Sequence, residues 1–313
     1  MKKIVSSISL FFVCLISFGQ QTIENKLTDA HQTVKGTKLS LIPPDGFTVA
    51  SNFAGFQQNE SGATIMFLDI PGPFPVISKS ITKESMLSKG VEVSTIENLT
   101  INGLSALFLT GTQNAYGNVY TKYILVFGTE AETVMINGAF PENLQKVGET
   151  VKKAMLTAYY DLGKKVDPLE GIDFKIDVSG TKLKLAKSVS GSIIYTVDGQ
   201  VPPKVDDKTN LIVAKSFSKI TAEDKKLFAL NRIKQTPLQV DSIEFTNEIT
   251  IDGVSGYEIF AKGKDKVTGK PESMYQVILF SDNLYYILFG TTTDESPRSI
   301  DEIKTAIRTF KKK

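Results

Sequence analysis

An α+β fold, built from two tandem copies of an antiparallel sheet packed with helices, is what this 313-residue sequence predicts. Three observations carry that expectation. Gly36-Thr37-Lys38-Leu39-Ser40-Leu41 recurs as Gly180-Thr181-Lys182-Leu183-Lys184-Leu185. Leu99-Thr100-Ile101-Asn102-Gly103-Leu104-Ser105-Ala106 recurs as Ile249-Thr250-Ile251-Asp252-Gly253-Val254-Ser255-Gly256, in the same order and at nearly the same separation. In both places the chain continues into two long apolar strands and an amphipathic helix. Internal similarity of this kind signals a duplicated unit. The expected organisation is a signal peptide over 1–19, a spacer over 20–35, a first repeat domain over 36–160, a linker over 161–171 and a second repeat domain over 172–313.

The N-terminus reads as an export signal. Lys2 and Lys3 form a positive start, Ile8 to Ile16 an apolar run, and Ser17-Phe18-Gly19 places small residues before a cut. The alternative, an uncut membrane anchor, is opposed by length, since a span needs roughly 20 apolar residues. Cys14 follows Val13, where a lipid-attachment site needs a small residue. Cleavage after Gly19 removes the only cysteine, which excludes disulfides, thiolate metal sites and cysteine nucleophiles from the mature chain. Removing Lys2 and Lys3 from 36 basic residues leaves 34, equal to the 34 acidic residues. A balanced chain gives no electrostatic reason to expect nucleic acid. No other stretch is apolar enough to cross a membrane.

Asn102-Gly103 and Asp252-Gly253 predict tight hairpins, because a type I′ turn requires positive φ at both central residues. The strands that follow are expected over 105–111, 120–127 and 133–138 in the first copy, and over 255–261, 274–280 and 284–290 in the second. Ser281-Asp282-Asn283 is the turn between the last pair. Val147, Val151, Ala154, Met155 and Ala158 share one face of a first closing helix, and Ile300, Ile303, Ile307 and Phe310 share one face of a second. Each copy also predicts a middle helix: one over 82–89, the other capped by Thr221 and Asp224 before Leu227, Phe228 and Leu230. One copy therefore reads as two or three strands, a helix, four strands and a closing helix. The Gly- and Pro-containing stretch Asp161 to Pro168 marks the boundary.

Leu39-Ser40-Leu41-Ile42-Pro43-Pro44-Asp45-Gly46-Phe47, a short strand entering a Pro-Pro-x-Gly-aromatic turn, resembles the opening of Mog1/PsbP-like domains. The Asn102-Gly103 hairpin, the long strands and the closing helix follow in that family's order, over most of the first copy. The second copy departs, with Ala186-Lys187-Ser188-Val189-Ser190-Gly191 in place of the Pro-rich turn. The resemblance implies an α/β/α-type sandwich, an antiparallel sheet between helices. It implies no shared catalytic residues, because members range from a Ran-binding factor to photosystem accessory and bacterial envelope proteins. The Phe-Gly-Gln-Gln cleavage region and the Asp241-Ser242-Ile243 tripeptide resemble the secreted, O-glycosylated proteins of Bacteroidota.

Reactive chemistry is sparse. His31 is the only histidine and lies in the predicted spacer, where a solvated surface role is expected. Without a second histidine, serine triads and histidine metal sites lack support, and no catalytic, cofactor or metal residue is assigned. The acidic pairs Asp206-Asp207, Asp294-Glu295 and Asp301-Glu302 are neighbours that point apart, and no loop has calcium-ligand spacing. Lys311, Lys312 and Lys313 are expected to fray. Tyr285 and Tyr286 should face opposite ways, one into the core and the other under a helix or in solvent. Pro71-Gly72-Pro73-Phe74-Pro75 is expected to be a stiff loop, with Phe74 either offered to a partner or folded back on the sheet. With Phe47, these residues are the expected partner contact. The expected function is a non-catalytic exported binding or assembly module of the cell envelope, periplasmic or secreted, taking an unknown protein or small ligand and no cofactor. The alternative is a hydrolase using carboxylates in the groove between the domains.

Overall fold

A computed structural model describes residues 21–313 apart from 116, 168, 190, 218, 219, 221, 222 and 294–296. The signal segment, Thr221 and the Asp294-Glu295 pair lie outside the described residues. The first half contains β1 (Gln21–Ile23), β2 (Gln32–Thr33), β3 (Leu39–Leu41), β4 (Thr48–Val49), β5 (Gly55–Gln58), β6 (Ala63–Ile70), α1 (Phe74–Ser80), α2 (Lys83–Leu87), β7 (Val91–Ile101), β8 (Leu104–Ala115), β9 (Asn118–Gly128), β10 (Thr133–Pro141), α3 (Gln145–Leu156) and β11 (Tyr159–Tyr160). The second contains β12 (Phe174–Lys175), β13 (Lys184–Val189), β14 (Ser192–Thr196), β15 (Asn210–Lys215), α4 (Lys225–Ile233), β16 (Leu238–Ile251), β17 (Val254–Asp265), β18 (Pro271–Ser281), β19 (Leu284–Thr292), α5 (Pro297–Arg308) and β20 (Lys311–Lys312). The chain is rich in strands and has few helices, an α+β composition.

The larger sheet runs β1-β7-β8-β9-β10-β6-β5-β4, and the other β13-β14-β15-β19-β18-β17-β16. Read from opposite ends, the two orders coincide strand for strand except for β1, which joins β7 in parallel. The hairpin dipeptides have the required geometry, with φ of 50° and 74° at Asn102 and Gly103, and 51° and 74° at Asp252 and Gly253. Both edge hairpins also carry a bulge at the same distance from that turn, at Ser94 in β7 and Glu244 in β16. β16 has a further bulge at Asp241.

Strand alternation feeds two clusters in each half. Leu125 and Phe127 of β9 pack with Val151, Ala154 and Met155 of α3, while Ile124 and Val126 pack with Phe74 and Met86 of α1 and α2. In the second half Val277 and Leu279 of β18 meet Ile303 and Ile307 of α5, while Ile278 meets Ala229 and Ile233 of α4. The closing helices come close to their sheets over glycine. A Cβ on Gly138 would lie 2.7 Å from both Val151 and Met155 side chains, and one on Gly290 would lie 2.6 Å from Ile303.

Several expectations change in the folded chain. The Pro71–Pro75 run is not a loop throughout: α1 begins at Phe74, with Pro73 as N-cap and Pro75 in the first turn. Proline is excluded from a helix interior but fits a first turn, whose N–H groups have no helical partner. Within the stretch expected as a spacer, β1 and β2 join sheets and Val34 is buried in the core. His31 is accordingly half-buried, with its ring nitrogens within 3.0 Å of the Thr157 carbonyl and 2.9 Å of the Thr28 hydroxyl. The terminal lysines do not fray: β20 pairs with β12, and Lys312 Nζ lies 3.0 Å from Asp282. The middle helix of the second half is capped by Asp224, whose side chain accepts from the Leu227 N–H at 2.8 Å.

Candidate functional site

The repeated Gly-Thr-Lys-Leu strings fold into matching turns. Thr37 Oγ1 donates to the Val34 carbonyl at 2.8 Å and accepts from the Leu39 N–H at 3.2 Å. Thr181 makes the same pair of bonds, to Val178 and Leu183, at 2.8 and 3.1 Å. A threonine hydroxyl that bonds its own backbone in this way fixes the following lysine. In the second half that lysine, Lys182, pairs with Asp207 at 2.6 Å. In the first half it is Lys38, and it stands in a cleft between the two halves.

The cleft encloses about 610 Å³. Its walls come from the β2–β3 turn, the β4–β5 loop, the end of β6, the start of β10, Tyr160, the segment 170–173 before β12, and β13 and β15 of the second half. Two lysine–carboxylate–tyrosine clusters stand at it, all of whose members line the cleft except Tyr286, which is buried behind Asp173 and Lys215. In one, Lys38 Nζ lies 2.8 and 3.1 Å from the Glu132 oxygens and 5.7 Å from the centre of the Tyr160 ring, and Tyr160 and Glu132 influence each other's ionisation. In the other, Lys215 Nζ lies 2.6 Å from Asp173 Oδ2 and 5.8 Å from the Tyr286 ring centre, and the Tyr286 hydroxyl donates to the same oxygen at 3.1 Å. Burial and the neighbouring carboxylates hold both tyrosine hydroxyls far above their ordinary range, so both remain donors. Burial alone would raise Glu132. The hydrogen bond from Lys38, the Tyr160 hydroxyl and the Lys38 charge overcome it, keeping Glu132 ionised below its usual value.

Asp69, at the end of β6, is the exception. It meets water in the cleft but is crowded by protein, and this desolvation raises its pKa above that of an ordinary aspartate. The Lys187 charge from the second half opposes the rise, and Glu132 adds to it. Across the cleft Lys215 also donates to the Ser51 carbonyl at 3.3 Å, and the Asn52 amide donates to the Phe217 carbonyl. Among the described residues no group of three or more potential metal ligands comes together.

The residues expected to contact a partner are not gathered at an exposed surface. Phe74 is 7% exposed and packs against β9, and Phe47 is 9% exposed in the core above α3. Pro71 is exposed, Pro73 and Pro75 are half-buried, and only Gly72 of that run borders the cleft. Of the tyrosine pair, Tyr286 is in the core and Tyr285 lies under α4, with Phe228 at 5.0 Å. The cleft acids Glu132, Asp69 and Asp173 were missed because none is adjacent in sequence to another acid or to a recognisable motif. The repeated Lys38 was the one available signal.

No protein-family model matches this chain, and no curated protein matches it. Solved structures similar to it include cyanobacterial PsbP (CyanoP) from Synechocystis, 11% identical over 42% of this chain and 91% of that one, with a TM-score of 0.31. The immunity protein TplEi of a type VI secretion system from Pseudomonas aeruginosa, complexed with "L" peptide, is 8% identical over 90% and 98%, with a TM-score of 0.30. A chain of the Tle4–Tli4 complex is 7% identical over 90% and 97%, with a TM-score of 0.34. The site is therefore read from its own residues.

Proposed function

We propose that this protein is an exported, non-catalytic binding module of the cell envelope that holds a protein segment or small ligand in the cleft between its halves. The observation that carries this reading is the pair of lysine–carboxylate–tyrosine clusters. Glu132 already accepts from Lys38, and Asp173 from Lys215 and Tyr286, so both act as wall-building acceptors. A fully satisfied polar network is rigid, and it leaves Val49, Phe53, Val166 and Phe217 as apolar contact surface around it. The shared strand order supports reading the halves as divergent copies of one Mog1/PsbP-like unit, each an α/β/α sandwich, with the cleft formed between copies.

The test compares the intact mature chain with Ser188→Trp, which fills the cleft from β13. Both are incubated with an extract of the native envelope, and bound species are read by native mass spectrometry. A species held by the parent chain and lost from Ser188→Trp is expected. Equal retention by both, or by neither, would overturn the reading.

One observation favours a second reading. Asp69 is held protonated more readily than usual while nearby Glu132 is held ionised, the division of roles that a carboxylate hydrolase uses. In that case the chain would hydrolyse some member of a panel of chromogenic esters, glycosides and phosphate esters. Asp69→Asn would then slow turnover by about 10²–10⁴-fold, the usual contribution of a general acid or base.

A further inference from the structure

The outer edges of the two sheets are built from the same residues and finished differently. In the first half Gln21, Thr22 and Ile23 add in parallel to Leu99, Thr100 and Ile101, and the Asn102 N–H donates to the Ile23 carbonyl at 2.8 Å. Asn25 continues the contact, its N–H donating to Asn102 Oδ1 at 2.6 Å. In the second half the same edge reads Ile249, Thr250 and Ile251, and no strand lies beside it among the described residues.

The consequences are visible residue by residue. Leu99 is 2% exposed and Thr100 half-buried, whereas Ile249 is only half-buried and Thr250 is exposed. In a two-residue hairpin the flanking pair, here Ile251 and Val254, bonds across the turn, so the next residue, Thr250, turns its N–H and C=O to the open side. The Asp252 N–H, which corresponds to that of Asn102, has no backbone partner among the described residues. Asp252 Oδ2 takes the Lys312 N–H at 2.9 Å, whereas Asn102 Oδ1 takes the Asn25 N–H at 2.6 Å, so both turn residues present an acceptor to a neighbouring backbone N–H. The bulges at Asp241 and Glu244 blunt the earlier part of β16 against pairing, but the stretch from Phe245 to Ile251 is regular.

We infer that the Ile249–Asp252 edge is a docking site for an extended peptide segment of a partner protein, which adds in parallel as Gln21–Ile23 does in the first half. The β1 contact defines the ligand chemistry. The segment offers two main-chain carbonyls to the Thr250 and Asp252 N–H groups, an N–H to the Thr250 carbonyl, and a β-branched aliphatic side chain at the position of Ile23. An N–H two residues later meets the acceptor-only carboxylate of Asp252. Main-chain bonds supply the attraction and the alternating side chains the selectivity.

The probe is the chain's own β1 sequence supplied a second time. The full chain is extended after Lys313 by a flexible Gly/Ser linker and the hexapeptide of residues 21–26, because β20 already ends beside Asp252. Tethering raises the effective concentration to about the millimolar range. Amide exchange at Thr250 and Asp252 is expected to slow at least tenfold relative to a scrambled hexapeptide. Replacing the appended isoleucine by proline should abolish the protection without any change in the folded chain, and Thr250→Pro, read at the Asp252 amide alone, should abolish it from the other side. Equal exchange with native and scrambled extensions would overturn the proposal. So would concentration-dependent self-association of the unextended chain that protects the same two amides, since the edge would then belong to a second copy.

Discussion

At the first sheet's outer edge a strand from the N-terminal segment covers β7, while β16, its counterpart, stands uncovered among the described residues. Between β6 and β7 the first half carries two short helices, α1 and α2, where the second half carries one longer helix, α4, between β15 and β16. The hairpins, the long central strands and the closing helices match in order and nearly in length. What differs is what covers the edges and faces. Central strands owe their register to burial on both faces, and a one-residue slip would turn every apolar side chain the wrong way. Covering elements carry no such constraint, so they can diverge and leave one half open where the other is closed.

That comparison can be broken most forcefully at the closing helices. Met155→Ala and Ile307→Ala, both at fully buried positions, should each cost about 2–5 kcal/mol in urea unfolding. Amide exchange read separately over 36–160 and 172–313 should place the loss in the altered half, and a loss spread evenly would show that the halves unfold as one unit. Next come the two close approaches. Gly138→Ala and Gly290→Ala should cost about 1–3 kcal/mol by overpacking. Gly290 should be the costlier, because its Cβ would also lie 2.8 Å from the Asn210 backbone carbonyl, whereas Gly138 meets side-chain atoms of Val151 and Met155. A smaller pair tests the unequal middle helices. Thr82→Ala, which removes a capping box, and Asp224→Ala, which removes a single cap, should each cost about 1 kcal/mol.

The smallest effect is one of sign, at the cleft. Asp69 has a raised pKa in the folded state, so its contribution is stabilising below the ordinary aspartate value of about 3.9 and is lost as pH rises through the raised value. Glu132 is lowered, so its contribution is present above the ordinary value of about 4.3 and is lost as pH falls through the lowered one. Melting temperatures from pH 3 to pH 8 should therefore show Asp69→Asn gaining stability toward neutral pH and Glu132→Gln losing it. Parallel profiles for the two variants would refute the assignment.

Local chemistry makes much of the scaffold readable in the sequence. Asn102-Gly103 and Asp252-Gly253 announce their turns because few residues tolerate positive φ, and the stripes through Met155 and Ile307 announce closing helices because a buried face must repeat every three or four residues. Pro71–Pro75 misled for an equally local reason: the rule against helical proline relaxes in the first turn, and only the packing of Phe74 against β9 shows that a turn of helix begins there.

The cleft belongs to the other category. Lys38, Asp69, Glu132, Asp173 and Lys215 are spread over more than half the chain, and no spacing rule links them. They converge because two sheets of one topology are set side by side, an arrangement decided by long-range packing. That no strand lies beside Ile249–Ile251 among the described residues is legible only by contrast, since this edge repeats the pattern of Leu99–Ile101 in β7. Sequence by itself determined the turns, the strand faces and the helix stripes, because each is a property of a few neighbouring residues. Tertiary structure alone decided which charges meet and which edge stays open, because both depend on what lies across space from a residue.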